Sequence, residues 1–166
     1  SACISTQVGC AMACGFCASG LLGVRRNVTA AELLEQVALL RRSGPVTRLV
    51  LMGSGEPTQN LAAVSEALAV LRDEGSLGPR HVLLSTVGPV AAIERVTASG
   101  LKVTLALSLH ALDRQLRGAL IPTQAHVAPP PRAGPIRWSM CCWAGARTAP
   151  TRPPSWPTRC GVGAPT

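Results

Sequence analysis

The chain has 166 residues, a net charge of +8, 47% hydrophobic residues and only 2% aromatic ones. That length suffices for one domain with its own core, and the sequence offers neither an 18-residue apolar run for a membrane span nor a charged-then-apolar secretory leader. The positive charge is uneven, with eleven Lys/Arg against all eight acids in residues 1–124 and five Arg with no acid in residues 125–166, so it is compatible with a polyanionic partner without requiring one.

A first short strand is predicted around "ACISTQVG", followed at once by a cysteine loop, "GCAMACGFCASG". Thr29 then caps a helix over "AAELLEQVALLRRSG", with Glu32 as its capping-box partner and Gly44 as the stop. Leu33, Leu34, Val37 and Leu40 fall on one face of that helix. "TRLVLMGSGEP" is a short Val/Leu-rich run ending in glycines, and "LAAVSEALAVLRDEG" after it reads as a second helix. "RHVLLSTVG" repeats the strand form, "PVAAIERVTASG" gives a third helix between Pro89 and Gly100, and "LKVTLALSLH" is a further strand. Alternation of this kind predicts an α/β fold with a parallel sheet and right-handed crossovers. Functional groups in such sheets gather beyond the C-terminal ends of the strands. The cysteine loop and the ends Gly53–Pro57, Ser85–Thr86 and Ser108–His110 would therefore converge on one face.

From about residue 125 this pattern stops. The segment 125–166 holds nine of the fourteen prolines and all three tryptophans, and shows no period of 2 or 3.6. One reading is a disordered tail. The genetic code supplies another. Met140-Cys141-Cys142-Trp143-Ala144 must be encoded ATG-TGY-TGY-TGG-GCN. Read from the third base, those codons give Val-Leu-Leu-Gly. Ser155-Trp156-Pro157, with an AGY serine, likewise yields Leu-Ala. The tail is thus expected to translate a shifted frame, which the nucleotide sequence tests. The domain division is a core over 1–124 and a tail over 125–166.

The seven cysteines are odd in number: Cys3, Cys10, Cys14 and Cys17 near the start, and none between Cys17 and Cys141. A disulfide framework would spread them over a small secreted chain, whereas a tight cluster reads as a metal site in a reducing cytoplasm. Cys10, Cys14 and Cys17 have the spacing C-x3-C-x2-C. A four-iron cubane normally takes four thiolates. Three in one loop leave one iron open, as a catalytic metal requires. Zinc is the rival, although zinc sites usually pair C-x2-C units across a longer spacer. Three merely buried thiols are the bland reading, made less apt by the flanking Gly9, Gly15 and Gly20.

C-x3-C-x2-C after a first strand, with a "GEP" strand end, resembles the radical SAM superfamily. "CISTQVGCAMACGFCASGLLGVRRNVTAAELLEQV", "LVLMGSGEPTQN", "RHVLLSTVG" and "VTLALSLHALDRQLRGALIPT" further resemble, in order over residues 1–123, the RlmN-type methyltransferases. These act on adenine C2 in 23S rRNA and some tRNAs. The resemblance implies a partial (β/α) barrel, about four βα units of six, and a cytoplasmic enzyme without membrane contact that takes electrons from a flavodoxin or ferredoxin. It implies a [4Fe–4S] cluster on Cys10, Cys14 and Cys17, whose open iron binds S-adenosyl-L-methionine. Gly55 and Glu56 would meet the methionine ammonium, and Ser85, Ser108, Leu109 and His110 would complete the cofactor pocket. Phe16 would lie near the cofactor's adenine or pack as an ordinary core aromatic. Arg25, Arg26 and Asn27 would meet RNA phosphates or form a solvated helix approach. Cys3 would be catalytic, removing the C2 proton from a methylated RNA intermediate. A second cysteine nearer the C-terminus would carry the methyl group, to which Cys141, Cys142 and Cys160 are not matched. A disulfide bond, with no pair named, is also implied.

Against the family pattern the sequence shows no N-terminal accessory domain, lacks the glutamate that domain carries, and replaces the last part of the barrel by the tail. The expectation is a chain truncated at both ends, with an exposed edge strand after "VTLALSLH", marginal stability and a tendency to aggregate. Such a chain binds a cluster without methylating RNA. The alternatives are a related C8 methyltransferase, another radical SAM enzyme, or an inactive metal- or RNA-binding remnant.

Overall fold

The computed structural model describes residues 1–75, 77–88, 90–122 and 139–140. The readings of a disordered or frame-shifted tail, and Cys141, Cys142 and Cys160, lie outside the described residues.

The architecture is a parallel sheet with helices on one face. Strands β1 (Ala2–Cys3), β4 (Leu49–Leu51), β5 (Val82–Thr86), β6 (Thr104–Leu107) and β7 (Ser139–Met140) stand in that spatial order. Every pair among them is parallel. Helices α2 (Ala30–Arg41), α3 (Leu61–Asp73) and α4 (Val90–Ala98) make the crossovers between successive strands from β1 to β6, and α5 (Arg114–Leu120) follows β6. This is the expected α/β arrangement of four βα units. The edge of β6 differs from expectation. It is met over two residues by β7, with Ala106 opposite Ser139 and Leu107 opposite Met140.

Local sequence explains the helices. Thr29 accepts the Glu32 N–H at 3.2 Å, and the Glu32 carboxylate accepts the Thr29 N–H at 2.9 Å. Two otherwise orphaned donors are thereby satisfied at the start of α2. Asp113 caps α5 in the same manner, accepting the Leu116 N–H at 2.8 Å.

The strands alternate. In β5, Val82, Leu84 and Thr86 are buried while Leu83 and Ser85 are only partly so. The buried set faces the helices, where Leu33 and Val37 of α2 and Val64, Ala67, Leu68 and Leu71 of α3 join Leu49, Leu51, Val82, Leu84 and Leu105 in one core. The opposite set, including Val50, Leu83 and Ser85, faces the side that a closed barrel would enclose.

The predicted first strand is in fact two. After Cys3 the chain leaves the sheet, with both Thr6 N–H and Gln7 N–H donating to the Ser54 carbonyl at 2.9 and 3.1 Å. It then forms an antiparallel hairpin of β2 (Gln7–Gly9) and β3 (Val24–Asn27). Between these strands lies the cysteine loop with a short helix, α1 (Ala18–Leu21). The stem closes tightly at Gly9, where φ is +81° and a Cβ would stand 1.8 Å from the Gly23 carbonyl oxygen. Only glycine tolerates that approach.

Candidate active site

The hairpin holds its loop against the carboxyl ends of β4, β5 and β6. Gln7 is the fastener. Its side-chain oxygen accepts the Glu56 N–H at 3.0 Å, and its amide donates to Asn27 at 2.8 Å. Asn60 adds two donations, to the Thr6 and Val28 carbonyls at 2.8 and 2.7 Å. The Gly-Glu-Pro turn is fitted to the same fastener. Gly55 has φ +101°, and a Cβ there would meet the Gln7 side chain at 2.6 Å.

One cavity of about 470 Å³ results. Its lining brings together Cys10, Cys14, Cys17, Phe16, Gly55, Glu56, Ser85, Ser108 and His110. The hydroxyls of Ser85 and Ser108 are 3.1 Å apart. The Phe16 and His110 rings approach to 4.4 Å between centroids, tilted by 45°. Phe16, nearly half exposed, therefore links the loop to the end of β6. His110 and Ala13 both adopt a left-handed backbone, φ +58° and +50°. Strain of this kind clusters where a site fixes its geometry.

Leu109 is not among the cavity-lining residues. Its carbonyl instead accepts from the Arg117 guanidinium. Cys3 lies deeper, on β1 opposite Val50 and exposed. Its partner Val50 stands two residues before Met52, which lines the cavity. Arg26 and Asn27 have local employment. Arg26 pairs with Glu32 at 2.8 Å, and Asn27 donates to the Gln59 carbonyl at 3.3 Å. Cys3, Cys10, Cys14 and Cys17 are all free thiols. The expected disulfide is therefore absent among the described residues, because the thiols that would form it line a cavity or stand alone on β1.

The cavity is acidic in character. Burial pushes the Cys10 thiol up, and burial together with Cys10 and Cys17 pushes Cys14 up to about 11. Burial also raises the Glu56 carboxyl, against the hydrogen bonds of Thr86, Val87 and Thr58. Glu56 accepts from Thr58 Oγ1 at 2.7 Å, Thr58 N–H at 3.4 Å and Val87 N–H at 3.0 Å. Those donors occupy most of a carboxylate's acceptor sites. Glu56 thus ties β4's end to β5's end, and burial favours its neutral form. Three thiols and a carboxylate lining one cavity are the donor chemistry of a cationic or metal-bearing occupant.

Among the described residues, no group of three or more His, Cys, Asp or Glu side chains is arranged to hold one metal ion. A cubane asks for something else, since its three thiolates bind three different irons. They must ring a cavity rather than meet at a point, and here they do line one. The residues fit a three-thiolate cluster with one open corner.

Sequence reasoning missed Gln7, Asn60 and Arg117. Only Arg117 had a local signal, standing four residues after the helix-capping Asp113.

Three comparisons bear on the site. The profile of the Radical SAM superfamily matches residues 4–127. A protein named "Probable RNA methyltransferase" from Stutzerimonas stutzeri strain A1501 is 46% identical over 127 residues, covering 76% of this chain and 37% of that protein. A "Probable dual-specificity RNA methyltransferase RlmN" from Rhodopirellula baltica is 47% identical over 133 residues, covering 76% and 36%. The crystal structure of a radical SAM methyltransferase from Sphaerobacter thermophilus superposes with a TM-score of 0.67 at 42% identity, covering 72% of this chain and 37% of that one. The chain spans little more than a third of the length of these curated relatives. No helix among the described residues is long and apolar enough to cross a membrane.

Proposed function

The chain belongs to the radical SAM superfamily, and on that premise we propose that its cavity is the cluster and cofactor half of an RNA methyltransferase of the RlmN type, acting on C2 of adenine in 23S rRNA and some tRNAs. One observation carries the reading: the three thiols of a single loop, the Gly-Glu turn and the polar ends of β5 and β6 line one cavity at the carboxyl edge of a parallel sheet. RNA as substrate is supported by the names of the relatives matched along most of the chain. A [4Fe–4S] cluster and S-adenosyl-L-methionine supply radical chemistry when bound.

The chain's own residues have distinct tasks. Cys10, Cys14 and Cys17 hold the cluster as thiolates. Burial raises the Cys10 and Cys14 thiols, so binding as thiolates would expel their protons. Gly55 leaves room for close backbone approach, and Glu56 supplies a buried carboxyl whose ionised form an ammonium group would favour. The paired Ser85 and Ser108 hydroxyls offer donors and acceptors at the strand ends. His110, held by Phe16, has its pKa lowered by burial and by Arg117. At neutral pH it is therefore an uncharged imidazole, able to donate one hydrogen bond and accept another. Cys3 stands on the open face of the sheet and is assigned the proton removal from the methylated base. Arg25 is exposed on β3 beside the loop and is assigned an RNA phosphate. A flavodoxin or ferredoxin is the expected electron source.

The test is anaerobic reconstitution with iron and sulfide, followed by S-adenosyl-L-methionine and a reductant. A chromophore of [4Fe–4S] stoichiometry and formation of 5′-deoxyadenosine are expected. Preferential uptake of zinc, with no iron–sulfur absorption, would overturn the reading. Methyl transfer to an rRNA adenine fragment is then assayed in the same mixture. A product methylated at C8 in place of C2 would reassign the position.

A further inference from the structure

Arg117 is a fully buried side chain in an unusual setting. It is 1% exposed, on a helix that the cysteine loop touches. Its guanidinium donates to the Ser108 carbonyl at 3.2 Å and also to the carbonyls of Leu109 and Val87. Two strand ends, those of β5 and β6, are thus fastened by one planar fork. Its Nε is buried with no partner. Among the described residues, the carboxylates in ion pairs serve other arginines, Glu32 with Arg26 and Asp73 with Arg72.

A buried guanidinium cannot shed its proton, and carbonyl dipoles offset its charge only partly. Two of its three carbonyl partners, Val87 and Ser108, line the same cavity as Cys14. Contact is direct as well. Gly15 N–H donates to the Leu120 carbonyl at 3.0 Å, and Ile121 is buried with Cys10, Met12, Cys14 and Val87 in a small core of its own. The helix bearing Arg117 is therefore the floor on which the cysteine loop rests.

We propose that Arg117 is a positioning residue for the cluster site: it locks the ends of β5 and β6 and presents a fixed positive charge to the Cys14 side of the loop, so that it raises the cluster's reduction potential. The inference rests on the cluster site proposed above. Reduction adds one electron from an external one-electron donor, and no bond to Arg117 forms or breaks. The added negative charge is stabilised by a nearby cation in a poorly solvated setting, which is one of the levers by which a protein sets such potentials.

The experiment reconstitutes the 166-residue chain anaerobically as wild type, Arg117→Gln, Arg117→Lys and Arg114→Gln. Each is titrated with dithionite and redox mediators while the reduced cluster is followed by electron paramagnetic resonance. Arg117→Gln keeps a donor and loses the charge. Its reduction constant is expected to fall at least about tenfold, a midpoint shift of about 59 mV for one electron. Arg117→Lys, which keeps the charge, and Arg114→Gln, on the exposed side of the same helix, should stay within about threefold of wild type. An Arg117→Gln midpoint equal to wild type, or an Arg117→Lys midpoint as low as that of Arg117→Gln, overturns the inference and leaves the site assignment standing. If the wild type takes up no cluster, the site assignment fails and this inference with it. If only the Gln variant fails to load, the Arg117→Lys midpoint decides: within about threefold of wild type it upholds the inference, and lower it overturns it. If Gln and Lys both fail to load while circular dichroism shows intact folds, Arg117 is a strut specific to guanidinium shape, and the proposed charge effect is overturned.

Discussion

The helix-side face of the sheet and its carboxyl edge are built on opposite terms. Toward the helices, Leu33, Val37, Leu49, Val64, Leu84 and Leu105 are each no more than 1% exposed and purely apolar. At the carboxyl edge, burial falls instead on Glu56, Thr58, Thr86, Asn60 and Arg117. There the backbone enters the left-handed region at Ala13, Gly55, Gly88 and His110. The first region gains free energy by removing hydrocarbon from water. The second holds polar and ionisable groups at a cost, and hydrogen bonds repay only part of it. Such an arrangement persists when it is made to receive something. The difference teaches that stability and site are separable here, one on the helix side of the strands and the other at their carboxyl ends.

That separation can be broken from the site side first. Cys14→Ala is expected to reduce iron uptake to background in anaerobic reconstitution. The far-UV circular dichroism and melting temperature of the metal-free chain should not fall, because the thiol it removes takes no part in the helix-side core. A lowered melting temperature in the metal-free state would mean that the two regions are one.

From the other side, Leu84→Ala empties a fully buried position on the central strand β5. Urea unfolding should show a loss of about 3 kcal/mol, the usual cost of such a cavity. Any loss of cluster loading should track the unfolded fraction and no more.

Gly55→Ala sits at the junction. A Cβ at φ +101° and 2.6 Å from the Gln7 side chain forces the turn or the hairpin to move. Binding of S-adenosyl-L-methionine to the reconstituted protein should weaken about tenfold or more, near 1.4 kcal/mol, with less effect on unfolding than Leu84→Ala. Equal affinity would show that the turn does not shape the cofactor site.

Smaller effects sharpen the contrast at α2. Thr29→Ala removes half of the capping box and should lower stability by about 1 kcal/mol, with iron loading unchanged. Arg26 and the Thr29 N–H hold the Glu32 carboxyl down at about 2, below its ordinary 4.5. A depressed carboxyl stabilises the fold above its unfolded value, and that contribution disappears as pH falls from about 4.5 through about 2. The stability gap between wild type and Glu32→Gln should therefore close over that interval. It should also narrow with added salt, since the Arg26–Glu32 pair is solvent-exposed. A gap constant from pH 7 to pH 2 would assign the effect to packing.

Much of the fold was legible because its signals are local. The Thr29–Glu32 capping box, the apolar face of α2 and the Val/Leu runs of β4, β5 and β6 each declare themselves within a dozen residues. The hairpin was not legible. "ACISTQVG" reads as one strand, and nothing in it announces that the chain turns out at Thr6 to pair with Val24–Asn27. That pairing depends on the Ser54 carbonyl and on Asn60, both dozens of residues away. The helix α5 was also missed, being seven residues long, and with it the site's buried cation.

For the candidate site, the thiol spacing and the polar strand ends named the chemistry, since the types of side chain decide what can be ligated. The sequence by itself thus determined the alternation of β1, α2, β4, α3, β5, α4 and β6, the cap of α2, the three-thiol loop and the kind of occupant it suits. Tertiary structure alone decided that Glu56 is spent on Thr58 and Val87, that Leu109 contributes its carbonyl to Arg117, and that Cys3, on β1, pairs with Val50 and does not line the cavity. The physical reason is range. Caps and periodicity act over three or four residues, whereas the burial of a charge and the choice of its partners depend on which distant segments pack around it.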